Sequence, residues 1–360
     1  MNARLFALPL IVFTAVSAKA GDAQPGDSGI ADLVTYPAAA SPWRLGAGYA
    51  QLFGLKTSFT GLGRFNSQFA AQPLGGGVNY DYDNGFVHVD SSGNAVARTW
   101  NWGYQNSRQY NPAGSGSMDF SLINSNANGN TDEHGGSDPG IEVFFYYDMG
   151  QIGFNPLQER KVSWGFRGGF HYSHINVNNS DLIATDLNTT TDTFSLNRTI
   201  PPSAPYAGSF GGPGPLLGDH PVRIIGGGSG LVSGNRELDV HLTIANAGTF
   251  LEMPVTEKFD VMLEAGVSLA VGAGSYNYFG TTNVTGLRAQ QSSGSESLTR
   301  FLPGVYIGFS GIYELTKEWS VQCSGRYQYM DNYNLDANGS QASLSFGSAF
   351  IFSIGGIYSF

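Results

Sequence analysis

A chain of 360 residues with 41% hydrophobic side chains can bury a large core, yet only 13% of it is charged, about half the usual share, and 50 residues are glycine. The formal charge of −10 argues against nucleic acid as a partner. A single cysteine, Cys323, excludes an internal disulfide scaffold.

The first twenty residues place Arg4 ahead of an apolar run, Leu5 to Val16, and end on Ala18-Lys19-Ala20, a small-x-small cleavage site. This predicts a secretory signal, residues 1–20, cut before Gly21. The apolar run is shorter than the ~20 residues of a helical span, and nothing later in the chain reaches that length. Residues 21–42 hold Gly, Pro, Ala and Asp without apolar periodicity, which predicts a flexible periplasmic lead.

From Trp43 the pattern becomes period two. Strands are predicted at about 43–53, 96–105, 118–124, 141–151, 162–175, 238–251, 259–271, 301–313, 319–330 and 343–360, ten in all. Along 259–271, for example, Phe259, Val261, Leu263, Ala265, Val267, Leu269 and Val271 share one face, with Asp260, Met262, Glu264, Gly266 and Ser268 on the other. In the last segment Leu344, Phe346, Phe350, Phe352, Ile354, Tyr358 and Phe360 share one face, opposite mostly Ser, Gly and Ala. The connections alternate between short (111–117, 155–161, 252–258, 314–318) and long (56–95, 125–140, 176–237, 272–300). That rhythm suits an up-and-down barrel with short turns at one rim and long loops at the other. With both termini at the short-turn rim, the strand number is even.

Trp43, Trp164 and Trp319 open strands that run away from the short-turn rim, and Tyr313 closes one that returns to it. Aromatics gathered at one rim predict an interfacial girdle. The polar face carries Arg44, Glu142, Asp148, Arg167, His171, Asp239, His241, Glu264 and Arg326, which are expected to line the lumen, since either sign of charge is costly against lipid. Such residues can form a salt-bridged filling, line a polar solute path, or pair carboxylate with histidine for acid/base work.

Other motifs are weaker. Asp81-Tyr-Asp83-Asn84-Gly85 opens like a calcium loop, but its twelfth position is Ser92 rather than Glu, and a tight turn fits it better. Asp132-Glu133-His134 with Asp138 reads as a solvated loop tip. His171 and His174 are three apart and so face opposite sides of a strand. There is no G-x-S-x-G or Walker pattern, and no catalytic, cofactor or metal residues are assigned.

Ser353, Gly355, Tyr358 and Phe360 follow the polar-x-Gly-x-x-aromatic-x-Phe pattern of a terminal assembly signal. With the secretory signal, the alternating strands and the loop rhythm, they make residues 43–360 resemble the bacterial outer-membrane β-barrel proteins, a porin-like family. The resemblance implies an all-β, transmembrane, antiparallel up-and-down barrel of about ten strands, with eight to twelve open. It also implies contact with outer-membrane lipids, folding by the barrel assembly machinery and periplasmic termini, but no particular substrate. The function expected is a non-enzymatic envelope component, structural or a restricted porin-like passage for small solutes. The alternatives are a surface hydrolase of protease or lipase type, or an adhesin acting through its long loops.

Overall fold

The computed structural model describes residues 41–134, 136–152 and 161–360. The expected signal, the lead up to residue 40, and the turn at 155–161 apart from Lys161 lie outside the described residues. Ser41 and Pro42, assigned to the lead, already join the sheet: the Ser41 amide donates to the Phe360 carbonyl, and the Asp148 amide to that of Pro42.

Eight strands, each antiparallel to its chain neighbours, close into a ring. They are β1 (Trp43–Phe53), β2 (Ser137–Ile152), β3 (Val162–Asn179), β4 (Val222–Pro254), β5 (Phe259–Asn283), β6 (Gln290–Glu314), β7 (Trp319–Met330) and β8 (Ala349–Ser359). β8 closes on β1 with Gly355 opposite Gly48. A Cβ on Gly355 would lie 2.5 Å from the Ala47 carbonyl oxygen, so the seam needs glycine there.

The ring therefore has eight strands rather than ten, because the segments expected at 96–105 and 118–124 do not enter it. Their Trp102, Tyr104, Met118, Phe120 and Leu122 are buried in a separate aromatic core. Alternation marks a half-buried strand but does not say which sheet it joins. The segment 272–300, expected as a loop, instead continues β5 and β6 as one long hairpin, paired up to Thr282 and Gln290. The final segment breaks in two: Ser340–Ser345 belongs to a different sheet, and β8 starts at Ala349. Leu344 and Phe346 are buried, whereas Phe350, Phe352 and Ile354 stand on the outer wall. The turn between them reverses the face.

On β6 the outward residues Phe301, Val305, Ile307, Phe309 and Tyr313 form an exposed apolar stripe. At ~3.3 Å per residue and a tilt of ~45° the stripe is ~28 Å tall, close to the apolar band of a membrane barrel. Beyond Phe301 the outward residues are Thr299, Ser297, Ser295 and Ser293.

The inside changes in the opposite sense. Far from the termini, Leu238, Val240, Leu242, Ile244, Ala270 and Leu302 face inward as part of one buried cluster. A four-stranded sheet, in the order Tyr333–Ala337, Ser340–Ser345, Lys56–Leu62, Gly129–His134, adds Phe59, Leu62, Tyr333, Leu335 and Leu344 to the same cluster. Phe59 stacks on Tyr276 of β5 at 5.7 Å, and the Tyr276 hydroxyl meets that of Ser340 at 2.7 Å.

The remaining long connections build a head rather than loose loops. Ile183–Ser195 pairs with the far part of β4 on one side and with Ser117–Ser125 on the other. Tyr80, Tyr82, Phe120 and Phe194 pack as stacked and edge-on rings between 5.3 and 6.3 Å apart.

Placing Arg at Ile307 should destabilise the protein in lipid by about 2–4 kcal/mol, whereas Ser297→Arg should change stability by less than about 1 kcal/mol. Urea unfolding in vesicles reads the difference, and equal costs at the two positions would remove Ile307 from the apolar band.

Candidate functional site

The most ordered polar constellation fills the barrel. Near the terminal rim, Arg44 of β1 pairs with Asp148 at 3.0 Å and with Glu252 at 2.5 Å. Its guanidinium lies 5.0 Å from the ring centre of Tyr146 and 5.5 Å from that of Phe250. Further in, Arg167 of β3 pairs with Glu142 at 2.5 Å and Glu264 at 2.9 Å, and Arg326 of β7 reaches the same Glu142 oxygen at 2.6 Å. Two guanidiniums and two carboxylates from four strands thus compensate one another, all with side chains no more than 1% exposed. Arg167 also lies 5.3 Å and 5.8 Å from the rings of Phe144 and Tyr146. Tyr146 is thereby flanked by two cations, and its hydroxyl donates to Gln322 at 3.0 Å.

Above the ion pairs comes a neutral polar set. The Ser268 hydroxyl donates to Asn246 Oδ1 at 2.7 Å and the Gln328 amide to the same oxygen at 3.2 Å. The apolar cluster under the four-stranded sheet follows. Ion pairs interleaved with the smaller cluster of Phe144, Tyr146, Phe250, Met262, Ile312 and Ile357 give way to these amides and then to the larger hydrocarbon core.

Of the nine residues expected to line the lumen, Arg44, Glu142, Asp148, Arg167, His171, Glu264 and Arg326 face the interior. His171 is fully buried with its Nε2 2.7 Å from the Ser173 hydroxyl. Asp239 and His241 do not: they stand on the outer wall, and the lumen side there is Leu238, Val240 and Leu242. The expectation put polar side chains inside along the whole strand. That holds only where the outside is apolar, and at this height the wall has left the apolar band. The same reading missed Glu252, assigned to a turn, although it shares the inward face of Phe250 and is the strongest partner of Arg44. Strand alternation carried one residue further would have found it.

Trp43, Trp164, Trp319 and Tyr313 gather at the terminal rim. Trp43 packs edge-on against Tyr147 at 4.8 Å, and Trp319 against Tyr358 at 5.1 Å. In the closing strand Ser353 faces inward, its hydroxyl 2.6 Å from that of Ser324, and Tyr358 packs edge-on against Phe360.

In the head, carboxylates act as internal acceptors. Asp192 takes a two-pronged bond from Arg223 (2.8 and 2.7 Å) and one from the Tyr82 hydroxyl at 2.7 Å. Burial and the Asp192 carboxylate push the Tyr82 phenol well above its ordinary range. Asp90 is held below its usual value: the rise from burial is outweighed by bonds from the Ser92 hydroxyl and amide and from the amides of Asn94 and Trp100. The segment considered for calcium is a hairpin with Tyr82 opposite Gly85. Asp83 is occupied by the Ser67 hydroxyl and the Ile123 amide, and Asp81 by His88. An open cleft beside it is lined by Phe69, Asp83, Phe86, Leu287 and Arg288.

Removing one partner of the interior network leaves a buried charge uncompensated. Arg167→Ala is expected to cost about 3–5 kcal/mol, measured by urea unfolding in detergent or lipid. A loss under about 1 kcal/mol would mean the network contributes little to stability.

No family model matches the chain, and no curated protein matches it. Among solved structures it is similar to the outer membrane protein OprG from Pseudomonas aeruginosa, at 10% identity over 88% of this chain and 95% of that one, with a TM-score of 0.32. It is also similar to the outer membrane protease OmpT from Escherichia coli (9% identity, 90% and 99% covered, TM-score 0.30). A third likeness is to Ail, the attachment invasion locus protein of Yersinia pestis, in complex with a heparin analogue (8% identity, 88% and 97% covered, TM-score 0.26). These likenesses are of fold alone.

Proposed function

We propose that this chain is an integral outer-membrane barrel that does not conduct, and that its working part is the folded head it holds outside the cell. The observation that carries this reading is the filled interior: ion pairs, amides and an apolar core follow one another from the terminal rim to the covering sheet. An eight-stranded ring leaves room for side chains and little else. The outward apolar stripe of β6 supports contact with lipid, and Trp43, Trp164, Trp319 and Tyr313 serve as the periplasmic girdle. The termini then lie in the periplasm.

The function is accordingly a non-enzymatic envelope component of the surface-binding, adhesin-like kind. The restricted porin-like passage is disfavoured by the same filling. In planar bilayers the refolded protein should be electrically silent, and Arg167→Ala or Arg326→Ala should introduce intermittent conductance. A large, steady conductance in the unaltered protein would overturn the filled-lumen reading and restore the passage.

Ser353, Gly355, Tyr358 and Phe360 act on this reading as the signal to the barrel assembly machinery. Changing Tyr358 and Phe360 together to Ala should deplete the heat-modifiable form from membrane fractions. Undiminished insertion would exclude that role.

A further inference from the structure

We infer that His174, Asp239 and His241 form a binding site for a divalent transition-metal ion, with zinc the best fit, on the outer wall where β3 and β4 leave the apolar band. His174 stands directly opposite His241 in the β3–β4 ladder, and Asn176 opposite Asp239. All four side chains point away from the lumen. The two imidazoles are stacked nearly parallel, 4.6 Å apart at 10°, with the Asp239 carboxylate beside them. His174 Nε2 is 3.1 Å from one carboxylate oxygen and His241 Nε2 is 3.8 Å from the other. The ligand atoms of the three residues all lie within 4.8 Å of one another.

Zinc bonds of ~2.0–2.1 Å at tetrahedral angles set ligand atoms ~3.3 Å apart. Two of the separations bracket that value, and small rotations of exposed side chains close the third. Two imidazoles with one carboxylate is a donor set suited to zinc and its neighbours and unsuited to calcium or magnesium, which take oxygen ligands.

The supporting groups are also in place. The Tyr172 hydroxyl is 2.8 Å from His241 Nδ1. When Nδ1 carries the proton and donates it to that oxygen, the Nε2 lone pair is turned toward Asp239. The Asn176 amide donates to Asp239 Oδ2 at 3.1 Å and fixes the carboxylate. Among the described residues no Lys or Arg forms an ion pair with Asp239, so no resident cation competes. Three protein ligands leave a fourth position for water or for a donor from outside, at the foot of the head.

The test uses the full chain in detergent, stripped with EDTA and titrated with zinc chloride by calorimetry. One equivalent should bind saturably. His174→Ala and His241→Ala should each weaken binding at least about tenfold, the double variant should abolish it, and Tyr172→Phe should weaken it by about tenfold or less. His220→Ala, in the head, should bind as the unaltered protein does. Cobalt(II) in place of zinc should give the visible bands of a tetrahedral site, lost in the same variants. Heat-modifiable mobility measured on each variant separates loss of the site from loss of the fold. Absence of saturable binding, or one equivalent that persists in the folded double variant, overturns the assignment.

Discussion

The width of an eight-stranded ring governs this molecule. A ring of that size has an interior about one side chain deep from every wall, so whatever points inward must find a partner there or leave a void. Glu142 accordingly sits between Arg167 and Arg326, Arg44 between Asp148 and Glu252, and Tyr146 between Arg44 and Arg167. Replacing such a network with hydrocarbon can be neutral, whereas removing one member is costly. Its charges come from β1, β2, β3, β4, β5 and β7, so the ion pairs also tie distant strands across the barrel.

The second governing fact is that the wall crosses a boundary while the strands continue. Within the apolar band the outward side chains are mostly Phe, Leu, Val, Ile and Tyr, and the inward ones mix ion pairs and hydroxyls with the buried rings and apolar chains of Phe144, Tyr146, Phe250, Met262, Ile312 and Ile357. Beyond it most outward chains are polar, among them Ser, Thr, Asn, Asp and His, and the inward ones are largely Leu, Val, Ile and Tyr. One set of strands therefore works as a membrane barrel at one end and as the wall of a water-soluble core at the other. The backbone needs no change at the crossing, because the strand period presents both faces throughout.

Much of this was legible in the residues. β1 and β7 begin and end where alternation placed them, and the inward aspect of Glu142, Arg167, Glu264 and Arg326 follows from parity alone. What was not legible shares one cause. Alternation states which residues share a face and is silent on what that face meets. Asp239 and His241 were turned inward because Leu238, Val240 and Leu242 read as lipid-facing, though they meet Tyr333 and its neighbours in a core. Residues 96–105 and 118–124 alternate like barrel strands, yet they pair within the head. Glu252 was lost because a charged residue near a turn resembles the turn itself. The break at 346–348 carries no Pro, and only the pairing of Ser340–Ser345 with Lys56–Leu62 reveals it.

The head is joined to the barrel by unbroken strands, and that has a mechanical consequence. β4 runs 33 residues from the head to the terminal rim, and Ile183–Ser195 lies along its far part from Ile183 opposite Val232 to Thr193 opposite Val222. A tug on the head is therefore resisted in shear. The rungs of the ladder share the force and must slide together, where a hinge or a peeled hairpin would yield one rung at a time. A domain anchored this way transmits tension into the wall as a rigid mast does, with the filled barrel as its footing.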